Sequence, residues 1–198
     1  MIFDGADRAI REMNRANLRL FNRLKLADWD RLNVLKRVSD VFRESVALAK
    51  RLYRRIAEEA YLDALRECGA PRRDMLFDWL DEMLEDANAL TLYSFDAETE
   101  RKKNRLSEAV SVSENPAQEI DKALRLWTLQ LSQYADIFVD AARLKAFEDA
   151  GVTDVVWVTA RDERVCKECE PLDGQVFRIT EAPRCPAHWR CRCHLIPI

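Results

Sequence analysis

Five of the six cysteines and both histidines of this chain lie between Cys166 and His194. Thiols and imidazoles grouped so closely are ligands for a borderline-soft metal ion. Cys166-Lys-Glu-Cys169 is a knuckle whose two sulfurs reach one tetrahedral ion from a single turn. His188 and Cys191 repeat that spacing and form a second knuckle. Cys166, Cys169, His188 and Cys191 thus make a Cys3His set, the expected ligands of one structural zinc. Cys193 is an alternate ligand that replaces His188 or Cys191, or else packs inward. Cys185 follows a charged loop and is the weakest candidate. The competing reading is a pair of disulfides, or free thiols in a small core. Cys68 stands alone near a helix end and is expected to be an inert, partly buried thiol.

A catalytic zinc keeps one position open beside an acid or base. Here the donors more than close the site. The chain also lacks the H-x-E element that deaminases place before their cysteine pair. No nucleophile–base pair, glycine-rich phosphate loop or paired-carboxylate motif is visible, so no catalytic residue is assigned and the expectation is a non-enzyme. The module around the cysteines has few apolar residues, so a metal would supply folding free energy.

The elements that must hold this cluster are mostly helical. From Ala6 to about Cys68 apolar residues recur at steps of three and four. Ile10, Met13, Asn17, Leu20 and Leu24 mark one face. "LADWD" at 26–30 breaks the run, with Asp28 or Asp30 as the next N-cap. The following series runs Leu32, Leu35, Val38, Phe42, Val46, Ala49, Leu52, Tyr53, Ile56 and Ala60, until Gly69 and Pro71 stop it. "RRDMLFDWLDEML" opens another helix, with Leu76, Trp79, Leu80 and Met83 inward. The polar stretch 96–115 is a short helix or a mobile connection. Asn115-Pro116 is an N-cap with proline at the first helical position. That helix carries Leu124, Trp127, Leu131, Tyr134, Ile137, Phe138 and Leu144 and stops at Gly151. Beyond Gly151, "DVVWVTA" is a strand, "LDGQVFRI" a turn and a second strand, and "APRCPAH" a loop. The expected fold is mainly α, with a small β-rich zinc-binding C-terminal module (α+β). Residues 1–150 form a body of long helices, packed as a bundle or in a ring, and 151–198 form the module. Trp29, Trp79 and Trp127 fall on apolar stripes as core or interface anchors. Trp189 is expected to cover the metal.

The run "VWVTARDERVCKECEPLDGQVF…PAHWRCRCHLIPI" resembles the C-terminal domain of the phage Mu F-like minor head proteins, also called head morphogenesis proteins. The shared elements, in order, are Gly151, Trp157, Thr159, Asp162, Arg164, Cys166, Cys169, Leu172, Asp173, Gly174, His188, Cys191, Arg192, Cys193 and Pro197. The resemblance covers about residues 130–198, with "HWRCRC" where the family commonly has "HPNCRC". It implies a structural virion protein of the head or neck, assembled in the host cytoplasm. Its partners would be portal or other head and neck proteins, or further copies in a ring, close to packaged DNA. The alternative is a zinc-stapled nucleic-acid-binding module, and a zinc hydrolase is a third reading.

Charge supports an assembly role. Net charge is −3. Residues 1–73 carry 17 Lys+Arg against 11 Asp+Glu, and residues 74–150 carry 8 against 17. A basic front and an acidic middle favour a protein partner or self-association over general nucleic-acid affinity. Arg8, Arg11, Arg15, Arg19 and Arg23 form one stripe of the first helix. It is either a solvated face or a docking surface for an acidic partner or DNA phosphates. The start lacks an apolar signal segment, and no run reaches the ~20 residues of a membrane span. The expected compartment is therefore a reducing cytoplasm, which favours metal over disulfides.

Overall fold

The computed structural model describes residues 4–26, 31–73, 95–188 and 191–198. Four α-helices stand among them: α1 Asp4–Lys25, α2 Arg31–Glu67, α3 Phe95–Val112 and α4 Pro116–Asp149. Three short strands follow: β1 Asp154–Val158, β2 Val176–Arg178 and β3 His194–Pro197. The chain is thus mainly helical, with one small sheet beside the cysteine cluster. No helix among the described residues is long and apolar enough to cross a membrane. The expected N-caps Asp28 and Asp30, the helix after Arg73, and Trp29, Trp79 and Trp189 lie outside the described residues.

The chain divides into two compact units. One comprises Asp7–Arg54 and Phe77–Ser132. Its α1 buries Ala9, Met13, Asn17, Phe21 and Leu24, a stripe at steps of four, four, four and three. Ile10 and Leu20, expected on that face, are only half-buried at its margins. Phe21 meets Phe42 edge-on, and Phe42 and Phe95 both pack on the fully buried Trp127. Leu35, read as inward, is exposed at 65%, and Val34 takes the buried position. The polar stretch after Phe95 is α3. Its inner face mixes Phe95, Leu106 and Val110 with Glu98, Thr99 and Ser107, which is why it lacks apolar periodicity. Glu98 is nearly buried but satisfied by Arg101 at 2.6 Å and Gln130 at 3.3 Å. Asn115 caps α4 by accepting the Gln118 N–H at 3.3 Å, with Pro116 at the first helical position.

The other unit comprises Met1–Ala6, Arg55–Leu76 and Gln133–Ile198. The β-rich module therefore shares a unit with the latter parts of α2 and α4. Tyr61 donates to Asp149 at 2.7 Å, and Arg143 pairs with Glu67 at 2.8 Å. Both helices end on a left-handed glycine. Gly69 has φ +65 and Gly151 φ +80, each followed by a return bond to the last turn: Ala70 N–H to Leu65 O at 2.9 Å, Val152 N–H to Phe147 O at 3.0 Å.

The sheet has the order β2-β1-β3, both pairs antiparallel. Val155 faces Phe177 and Pro197, and Trp157 faces Leu195. These residues share one face, where Val155 and Trp157 are fully buried. Arg178 and Asp154 pair across the strands at 3.7 Å.

Candidate metal centre

The first knuckle is a tight turn closed by backbone. The Cys166 carbonyl accepts the N–H of Cys169 at 3.1 Å and of Glu170 at 2.9 Å, leading into a 3-10 turn, Glu170–Leu172. The Cys169 N–H also points at the Cys166 sulfur, 3.3 Å away. His188 O accepts the Cys191 N–H at 3.1 Å, the same closure at the same spacing. Each pair thus presents two donors at the same spacing.

The donors converge. His188 Nε2 lies 2.9 Å from Cys166 Sγ and 3.2 Å from Cys169 Sγ. Cys169 Sγ lies 3.8 Å from Cys191 Sγ. At a zinc–sulfur distance of about 2.3 Å, the edge of a sulfur tetrahedron is roughly 3.8 Å. Two trios form, Cys166–Cys169–His188 and Cys169–Cys191–Cys193, with the ligand atoms of each within 4.8 Å of one another. Cys169 belongs to both. All five residues line one pocket, together with Arg164 and Arg192.

The electrostatics fit a cation. Burial pushes the Cys169 thiol up, and contact with Cys166, Cys193 and Cys191 pushes it further. Burial and then Cys191 push Cys193 up to about 11. Cys166 lies lower than an ordinary thiol: against burial, it accepts the N–H groups of Cys169 and Glu168, with His188 alongside. Neighbouring thiolates disfavour one another's ionisation, and a divalent ion between them removes that conflict. The residues present therefore fit a metal ion, and the cluster can hold one.

Cys193 is buried and lies in the second donor trio. The indole N–H of Trp157, fully buried, makes no well-formed hydrogen bond, yet it lies close enough to lower the Cys193 thiol. Burial and Cys191 outweigh it, so the thiol stays above its ordinary value. Cys185 stands apart from both trios and donates to the Cys193 carbonyl at 3.2 Å. Burial first, and the Asp140 charge next, push its thiol up. Cys68 is half-buried, and burial raises it too.

Two carboxylates organise the loop between β1 and the first knuckle. Asp173 Oδ1 accepts the Thr159 N–H at 2.9 Å and its hydroxyl at 3.1 Å, and Oδ2 accepts Arg161 Nε at 2.9 Å. Asp162 accepts both ends of the Arg192 guanidinium at 2.6 Å and the Arg164 N–H at 3.0 Å. The Arg192 fork holds the Asp162 carboxyl well below the usual carboxylate range. Asp162, Asp173 and Arg192 belong to the sequence pattern, but spacing alone gave them no role.

The family of phage Mu protein F-like proteins matches residues 97–196. The chain belongs to that family. The match spans half the chain, begins near the start of α3, and contains both knuckles and all of the sheet but its last residue, Pro197. It reaches further towards the N-terminus than the resemblance at about 130–198. The family is one of structural phage head proteins, which makes this chain a virion component. No curated protein and no solved structure matches it.

The arginine stripe lies outside the matched stretch. Arg8, Arg11, Arg15, Arg19 and Arg23 are all exposed on α1. Arg23 pairs with Glu44 at 2.6 Å, and Arg19 reaches the Arg15 carbonyl at 3.4 Å.

Proposed function

We propose that this chain is a minor structural protein of the phage head or neck, acting in head morphogenesis near the portal, with a zinc-stapled module. The ion is structural zinc, held by Cys166, Cys169, His188 and Cys191, with Cys193 as the alternate ligand. The observation that carries this reading is the position of the cluster: five convergent donors lie inside the stretch that matches the family. Zinc suits two thiolate-bearing knuckles with an imidazole, and it supplies folding free energy where apolar area is small. The helices then provide the contacts with portal or neck proteins and with further copies in a ring. The arginine stripe docks an acidic partner surface or the phosphates of packaged DNA. Mass spectrometry of purified particles tests the assignment. The chain should be present at a fixed ratio to the portal subunit, and each copy should carry one zinc. Particles that lack it, from cells that express it, would remove the virion role.

A further inference from the structure

We propose that Asp162 and Arg192 form a latch that sets the two ligand-bearing turns in register, so that the ion meets an assembled site. The inference rests on the metal reading above and concerns how the site is built. Arg192 stands between Cys191 and Cys193, and Asp162 stands four residues before Cys166. Their two bonds at 2.6 Å span 30 residues of sequence. They tie the approach to the first knuckle directly to the segment that carries the second. No other ion pair described in the module joins these two segments. The Arg161–Asp173 pair and the Arg164–Asp162 pair both lie on the first-knuckle side.

The geometry is that of an oriented clamp. A planar fork on both carboxylate oxygens fixes direction as well as distance. The carboxylate is itself oriented by the Arg164 N–H. The other end of the loop is pinned to Asp173, and between the pins Arg161 holds φ at +50, a conformation few side chains adopt. The loop thus has one shape, and Asp162 projects from it at a set place. An exposed pair like this one adds little to global stability. Its effect falls instead on the ordering cost that ligand binding would otherwise bear. Asp162 and Arg192 are positioning residues; neither touches the ion.

The test uses the full chain and zinc, with affinity read by competition against a chromogenic chelator. Asp162→Asn and Arg192→Gln should each weaken zinc binding by about 10-fold, because the ordering of the two segments is then met at binding. One zinc per chain should remain, and the thiolate charge-transfer bands of the cobalt-substituted protein should keep their positions. Arg192→Lys keeps the charge but loses the fork, so it should fall with the Gln variant. The double variant should be no weaker than either single one. Unchanged affinity in Asp162→Asn and Arg192→Gln overturns the latch, and a fully active Arg192→Lys reduces it to a plain ion pair and overturns it as well. A wild-type chain that takes up no zinc would overturn the metal reading instead. The latch is then read in chelator, from hydrogen exchange at the Arg164 and Cys169 amides. Faster exchange in Asp162→Asn supports it, and identical exchange overturns it.

Discussion

Trp127 donates its indole N–H to Ser45 Oγ at 2.7 Å, joining α4 to α2 in the middle of an apolar core. Ser45 passes the bond on, donating to Asn17 Oδ1 of α1 at 2.5 Å. One hydroxyl therefore fixes the register of three helices. Ser45→Ala leaves a buried donor and a buried acceptor unpaired, which costs roughly 1–3 kcal/mol each when nothing replaces the partner. The expected result is a melting temperature lower by about 2–4 °C for each kcal/mol lost in a chain of this size. Calorimetry of the variant checks it, and a melting point equal to that of the native chain would show that the polar chain carries no weight.

The thiols should separate by role. Cys169 belongs to both donor trios, so Cys169→Ser should abolish zinc binding and lower the melting temperature of the C-terminal module. Cys185 is outside both trios, so Cys185→Ser should retain one zinc per chain. Native mass spectrometry distinguishes the two. Metal loss in both variants, or in neither, contradicts this assignment, as would a Cys166–Cys169 disulfide in a folded, metal-free chain.

Asp140 gives the fold a pH dependence. Burial pushes its carboxyl up to about 7, the like charge of Asp136 adds to this, and Arg143 opposes it. The Cys185 thiol faces the same charge. Because the folded pKa exceeds the unfolded value of about 4, the associated stability is full below pH 4 and is lost as pH rises to 7. Asp140→Asn removes that loss. Its melting temperature should exceed the native one clearly at pH 8, and by less at pH 5. A difference that is constant across the range would mean that Asp140 titrates normally.

Reversal of Arg11, Arg15 and Arg19 to Glu should leave α1 helical, since Arg and Glu have similar helix propensity. All three are exposed, so little packing is lost. If the stripe docks a partner or DNA, the triple variant should be stable yet fail to enter particles. Helix content by circular dichroism and particle incorporation by immunoblot are the measurements. Normal incorporation would make the stripe solvated surface.

The sequence was most legible where local chemistry decides structure. Asn115-Pro116 and Gly151 marked the ends of α4 because capping and positive φ are local demands. The two knuckles were legible because ligand spacing is local too. Periodicity placed Met13, Asn17 and Leu24 correctly, but not Leu35. The exposed Leu35 neighbours the buried Val34, and a one-residue shift is invisible when both are apolar. β3 leaves no signal in the sequence because His194-Leu-Ile-Pro197 is too short to alternate visibly and takes its strand geometry from pairing with β1. The Asp162–Arg192 pair was equally hidden, since nothing in a sequence links residues 30 apart unless a turn or a ladder announces it.

The order of the donors along the chain has a consequence for synthesis. Cys166 meets His188 across 22 residues, and β1 must await β3 to gain its second neighbour. At ~5–20 residues per second, the residues of the first knuckle are added to the chain one to several seconds before those of the second. Through that interval Cys166 and Cys169 are a dithiol without the imidazole and thiols that complete the donor set. Neither the donor set nor the sheet can close until His188, Cys191 and β3 arrive together, so the module is the last part of the described chain to fold.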